Sequence, residues 1–130
     1  MSVYDDVLTA VTRLANKTRP YAKVTIGPLP PDNGISISWS AGSLNTFLSK
    51  RAEVSMSAVL NSKHKDQQKA ADALGKIHTA LNMTKVYPQA DNFQITNIET
   101  IGAPSYLGRE QNNQCLYGSS LEVNFFLKGD

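Results

Sequence analysis

Apolar residues recur every three or four positions in two segments of the chain, which is the spacing of amphipathic helices. The first segment predicts a helix from about Val3 to Lys17, which begins with the capping-box sequence Ser2-Val3-Tyr4-Asp5 and is stopped by Pro20. The second predicts a helix near Asp66–Asn82. Gly75 within it costs about 1 kcal/mol relative to alanine, which suggests a close strand crossing. The apolar stripe of this second helix consists of Ala70, Ala73, Leu74, Ile77, Ala80 and Leu81.

Other segments alternate apolar and polar residues or are short and apolar, which is typical of strands. The alternation slips near Asn97, which predicts a β-bulge there. Two polar segments are predicted to be loops, Gly102–Asn113 and the less clear Ser40–Arg51, with a turn at Ser49-Lys50-Arg51. The predicted strands cover Lys23–Gly27, Ile35–Ser40, Glu53–Asn61, Phe93–Ile101 and Gln114–Leu127.

The resulting element order is α-β-β-β-α-β-β. Consecutive strands joined by short turns favour an antiparallel sheet of four to five strands. Two helices covering one face of this sheet give an α+β, two-layer sandwich. The whole chain, residues 1–130, is predicted to be one domain, with the first and last strands as its exposed sheet edges.

Charge and composition exclude several classes of protein. The net charge is +2, and the densest basic cluster, Lys63-His64-Lys65, is interpreted as a solvated turn, so a nucleic-acid-binding module is not favoured. One cysteine rules out an intrachain disulfide. The polar start lacks a secretory signal, and no apolar run is long enough for a membrane span, so we expect synthesis in a cytoplasm and no membrane partner.

The residues with reactive side chains form no recognisable catalytic pattern. His64, His78 and Cys115 occur without metal-ligand spacing, and there is no nucleophile elbow or phosphate-binding loop. We expect His78 to be a structural histidine on the flank of the helix stripe, His64 to decorate the helix entry, and Cys115 to be a small core thiol. The sequence therefore predicts no catalysis, no cofactor and no metal.

Three apolar residues lie where the pattern calls for polar ones. Phe126 falls on the otherwise polar face of the last strand, and Val59 and Tyr4 are similarly placed. Exposed apolar positions of this kind mark a subunit interface. A second layer of the same core would explain them equally well, and the sequence leaves both explanations open.

The segment Ser62–His78 resembles the K-x-x-D-Q-x-x-A…A-L-x-x-I segment of the minor capsid and tail-terminator family of long-tailed bacteriophages. The resemblance extends from about Ile35 to Gly129 and includes Asn97–Thr100, Pro104–Glu110 and Leu121–Gly129. The first 34 residues match only as a helix followed by a strand, and Ser40–Arg51 departs from the family pattern.

This resemblance implies a virion protein, made in the host cytoplasm, that forms a homo-oligomeric ring, commonly a hexamer, at the head-proximal end of the tail tube. Its partners would be other copies of itself, the tail tube protein and the head-side connector or stopper, with DNA only as passing cargo. Another head-completion protein, or a component of a phage-tail-like particle, is the alternative. The candidate interface residues are Lys50, Arg51, Arg109, Glu110 and Phe126.

Overall fold

The computed structural model describes residues 2–46 and 52–128 of the chain. Two helices and five strands follow one another in the predicted order, α-β-β-β-α-β-β. Both helices pack on the sheet, so the α+β class is confirmed. The elements are α1 (Val3–Asn16), β1 (Val24–Ile26), β2 (Ile35–Thr46), β3 (Ala52–His64), α2 (Gln67–Asn82), β4 (Phe93–Arg109) and β5 (Cys115–Leu127).

The sheet has the strand order β1-β2-β3-β5-β4 and is mixed, so the prediction of a purely antiparallel sheet is wrong. β1 runs parallel to β2, with Val24 opposite Ile35, whereas every other neighbouring pair is antiparallel. A strand of three residues spans only about 10 Å. The proline-rich segment 27–34 is therefore long enough to return the chain to the starting end of β1, where β2 begins in the same direction.

The edge strands are β1 and β4. The prediction that the first strand forms an edge is confirmed, but the prediction for the last strand is wrong, because β5 lies between β3 and β4. Its alternate residues Leu121, Val123 and Phe125 are fully buried, as a central position requires. Pro104 in β4 fits an edge strand, since proline has no backbone N–H to donate to a neighbouring strand.

β4 continues to Arg109, so most of the predicted loop Gly102–Asn113 is strand. Its register with β5 shifts at four points, and the shift between Ile95 and Asn97 confirms the predicted bulge. The other shifts surround Gly102, Pro104 and Gly108. Residues that resemble a loop in sequence therefore stay in β4 because the register against β5 shifts around them.

β2 and β3 form a long antiparallel hairpin that extends the two predicted strands. β2 continues past Ser40 to Thr46, which pairs with Ala52, and β3 continues to His64. The hairpin therefore includes most of the Ser40–Arg51 segment whose structure the sequence left unclear. Lys50 and Arg51 lie outside the described residues.

Both helices begin as their sequences predict. The Ser2 hydroxyl accepts the Asp5 N–H in α1, and the Asp66 carboxylate accepts two N–H groups at the start of α2. The buried stripe of α2 includes Leu74, Ile77 and Leu81, but Ala80 is exposed and His78 is buried beside Ile77. The close strand crossing suggested for Gly75 is also wrong, because a Cβ added there would meet no atom within 4 Å.

Candidate assembly interface

The outer side of β4 is an accessible sheet edge over most of its length. Its first residues are covered, since Gln89 forms an isolated bridge to Gln94 and the Ile95 N–H donates to the Pro88 carbonyl at 3.1 Å. From residue 96 to Arg109, β5 is the only strand of the described part that pairs with β4. The unused backbone groups of such an edge are available to a partner strand.

Exposed apolar side chains are concentrated on this same stretch of β4. Ile101, Tyr106 and Leu107 are each at least half exposed. Leu107 also reaches across the open face of the sheet, because a Cβ added at Gly118 would lie 2.7 Å from its Cδ1. Apolar groups next to unused backbone donors and acceptors are typical of a strand that pairs with another chain.

The opposite edge is covered at one end and accessible at the other. The Asn16 side chain accepts the Val24 N–H at 2.8 Å and donates to the Val24 carbonyl at 3.3 Å. The end of α1 therefore satisfies the outward backbone hydrogen bonds of β1 at Val24. Among the described strands, β1 pairs only with Ile35–Ile37 of β2. From residue 38 to Thr46, β3 is the only described strand that pairs with β2. Ile26, at the end of β1, is half exposed.

Two predicted interface residues, Arg109 and Glu110, lie at the corner where β4 ends. Arg109 is exposed, whereas Glu110 forms an ion pair with Lys63, whose Nζ lies 2.8 Å from Glu110 Oε1. Lys63 is only 6% exposed, and both Lys63 and His64 belong to β3, so the interpretation of Lys63-His64-Lys65 as a solvated turn is wrong for its first two residues. A buried ammonium group requires such a partner, which gives Glu110 a structural role.

The same corner joins the proline-rich segment to the β4–β5 turn. Gln114 is fully buried, and its Oε1 accepts the Asn33 N–H at 2.8 Å. The Asn112 amide donates to the Pro31 carbonyl at 3.2 Å. Among the described residues, none pairs with Gln114 Nε2. No local pattern in the sequence signals this junction, because its partners are 81 positions apart.

Phe126, the remaining predicted interface residue, is half-buried on the sheet face opposite the helices. Glu53 and Gln94 are its neighbours on the adjacent strands. The described core lies on the other face, where Phe125 is fully buried. Tyr4 belongs to that core side, since its ring packs edge-on against Phe125 with centroids 6.2 Å apart. The core explanation therefore holds for Tyr4, and Phe126 lies away from that core.

His78 is the centre of a buried hydrogen-bonded chain, which confirms its structural interpretation. Its Nε2 and Nδ1 each lie 2.7 Å from a hydroxyl, those of Ser119 and Thr100. Ser119 donates to the Leu60 carbonyl at 3.2 Å, so it accepts from Nε2–H. Burial lowers the pKa of His78, which favours the neutral imidazole. In that form Nδ1 carries no proton and accepts from the Thr100 hydroxyl, which itself accepts from the Asn82 amide at 2.8 Å.

The other candidate reactive groups also have structural partners. His64 Nδ1 accepts the Asp66 N–H at 2.9 Å at the entry to α2, and its ring packs edge-on against Tyr21. Burial raises the pKa of Tyr21 to about 12, and its hydroxyl donates to the Lys63 carbonyl at 2.7 Å. Cys115 is buried, as expected of a core thiol.

Within residues 2–46 and 52–128, no group of three or more histidine, cysteine, aspartate or glutamate side chains is placed to hold a metal ion. Neither helix of that part combines the length and the apolar character needed to cross a membrane. Comparison with known proteins adds no assignment: no protein-family model matches the chain, and no curated protein matches it significantly.

Proposed function

We propose that this chain is a structural subunit of a long-tailed bacteriophage, or of a phage-tail-like particle, that assembles into a ring at the head-proximal end of the tail tube. The resemblance of Ser62–His78 and of the last two strands to the tail-terminator family supports this proposal. The ring would contact the tail tube protein on one side and the head-side connector on the other. It would let DNA pass as cargo, without a cofactor or a catalytic step.

The observation that carries the proposal is the pair of accessible sheet edges with exposed apolar residues on both. Ile26 lies on one edge, and Ile101, Tyr106 and Leu107 lie on the other. Two different surfaces that meet between copies make a heterologous contact, and such a contact closes into a ring when the rotation permits. A pair of unlike edges on opposite sides of one sheet suits this geometry.

The strand directions favour the same contact. Because β4 runs antiparallel to β5, and β5 and β2 are both antiparallel to β3, β4 is antiparallel to β2 and β1. Copies related by rotation about an axis along the strands would therefore place β4 of one against β1 and β2 of the next in an antiparallel pair. Antiparallel pairing is the slightly more stable kind.

The register also brings the apolar residues of the two edges to the same level. Ile26 is level with Ile37, Leu60 and Ser119 across the sheet. Ser119 lies opposite the bulge between Gly102 and Ser105 of β4, next to Ile101 and Tyr106. In a ring of this kind, Ile26 of one copy faces the apolar stretch of its neighbour, so apolar surface is buried on both sides.

The test is the native mass of the protein and of edge variants. Native mass spectrometry and negative-stain imaging over a range of concentrations should detect rings, with the hexamer as the expected species. Ile101→Lys combined with Leu107→Lys should shift the protein to the monomer, and Ile26→Lys should do the same from the other edge. Each lysine would place a charge in an apolar contact without altering the core.

Val86→Lys is the matched control, because Val86 is 85% exposed and lies outside the strands. The control should assemble like the unaltered chain, and far-ultraviolet circular dichroism should be the same for all variants. A protein that is monomeric at every concentration, or edge variants that assemble normally, would contradict the proposal.

A further inference from the structure

A groove runs along the outer side of the helix layer, between α2 and the segment that follows α1. Its main part has a volume of about 540 Å³ and lies over Ala71, Gly75 and Ala80 of α2, with Thr18 on the other wall. A second part of about 250 Å³ continues past Arg19, Lys69 and Lys76. The groove belongs to the helix layer, whereas the proposed ring contact belongs to the sheet edges.

The floor of the groove is made of small residues. Gly75 has no atom within 4 Å of the position that a Cβ would take, so the space above it is open. Ala71 and Ala80 add only methyl groups. Small side chains along a helix let another helix approach closely, with dispersion contacts along its length.

The rim of the groove is basic. Arg19, Lys69 and Lys76 surround its second part, and Asp72 is the acidic residue among them. Within the described ranges, none of the three cations forms an ion pair, since the ion pair found there joins Lys63 to Glu110. Asp72 accepts a hydrogen bond from the Gln68 amide at 2.8 Å. The groove therefore offers positive charge that forms no ion pair within the described part of the chain.

We propose that this groove docks an acidic amphipathic helix of a partner protein. The apolar face of that helix would lie on Ala71 and Gly75, and its carboxylates would face Arg19, Lys69 and Lys76. A basic rim steers an acidic partner and selects against basic ones, while the floor provides the apolar contact. A nucleic-acid backbone would gain nothing from the apolar floor, whereas the apolar face of an amphipathic helix is buried on it.

The test uses the full chain and a synthetic helical peptide with leucine and alanine on one face and glutamate along both flanks. A second peptide carries lysine in place of each glutamate, and a 20-base-pair DNA duplex serves as the polyanion. Titration followed by amide NMR, with peptide up to about 1 mM, covers the weak affinities expected of a short segment. The acidic peptide should shift the amide signals of Ala71 and Gly75, and the basic peptide should not.

Two variants separate the contributions of the floor and the rim. Gly75→Leu fills the groove at a position where a side chain meets no atom, so it should fold at least as stably but lose binding. Lys69→Glu combined with Lys76→Glu should weaken binding by roughly tenfold or more, since each rim charge contributes modestly. Lys85→Glu, an exposed charge after α2, is the control and should bind like the unaltered chain.

Three results would overturn this proposal. They are the absence of shifts at Ala71 and Gly75, binding that survives Gly75→Leu, and binding of the DNA duplex that equals peptide binding and is unaffected by that substitution. None of these results bears on ring formation, because the native mass depends on the sheet edges. Conversely, a chain that stays monomeric can still bind the acidic peptide, so the two proposals fail separately.

Discussion

At the residue scale, the environment of His78 makes the stability of the fold depend on pH. The groups that face the imidazole are the hydroxyls of Thr100 and Ser119, and burial lowers its pKa. The unfolded chain therefore takes up a proton first as the pH falls. The contribution of His78 to stability is complete above its ordinary pKa of 6.5 and is lost as the pH falls below it.

Urea unfolding should therefore be measured at several pH values between 8 and 5. The urea concentration at the midpoint should decrease once the pH is below about 6.5. His78→Gln should flatten this dependence, because glutamine does not titrate. It should also cost roughly 1–3 kcal/mol at pH 8, since one buried hydroxyl loses its partner. An equal pH dependence in the unaltered chain and in His78→Gln would show that other groups cause it.

The pair of Lys63 and Glu110 gives a second prediction at this scale. Glu110→Gln should destabilise the fold by roughly 1–3 kcal/mol, less than for a fully buried pair, because the Glu110 side chain is 38% exposed. Lys63→Met added to that variant should restore much of the loss, since no buried charge then remains. Thermal unfolding measures both changes. Arg109→Gln is the exposed control, and a loss as large as that of Glu110→Gln would contradict this assignment.

The sequence predicted Lys63 as solvated because neighbouring residues in the chain do not reveal an ion pair between positions 47 apart. Glu110 as an interface residue stays a prediction. The register of β3 against β5, and the turn before β5, bring the two side chains together. The same limit applied to Gln114 and Asn33. Partners of this kind become visible only when the strands are aligned.

At the element scale, periodicity predicted both helices and the inner stretches of the strands, because each of these segments buries one face. It failed at the second half of β4, where Gly102, Pro104 and Gly108 interrupt the alternation. Those residues remain in the strand because shifts in register against β5 accommodate them. It also missed the direction of β1, since a strand of three residues carries little information about its partner.

Gly75 in α2 provides the prediction at this scale. Because a side chain there meets no atom, Gly75→Ala should stabilise the protein by about 0.5–1 kcal/mol, the difference in helix propensity. Urea unfolding should show a higher midpoint with an unchanged slope. Gly27→Ala is the contrasting variant and should destabilise, because Gly27 has φ +115°, a conformation that alanine rarely adopts. A destabilising Gly75→Ala would indicate a packing role for this glycine.

At the scale of the whole molecule, the two sheet edges are protected at their starts and accessible further along. Asn16 satisfies Val24, and the segment around Gln89 covers the beginning of β4. In a protein that stays monomeric, both edges would be expected to be protected against pairing with another chain along their whole length. Apolar residues at matching levels on the two accessible stretches instead favour a sheet that continues into a neighbouring copy.

Hydrogen exchange distinguishes this edge pairing from an assembly held by side chains alone. In dilute monomer, outward-facing amides of β4 between residues 96 and 109 should exchange quickly, while amides of β5 exchange slowly because β3 and β4 flank that strand. At concentrations where rings form, the same β4 amides and those of β2 beyond residue 37 should become protected together. Rings that leave both sets unprotected would exclude strand pairing, because an antiparallel ladder must occupy the backbone donors of both edges.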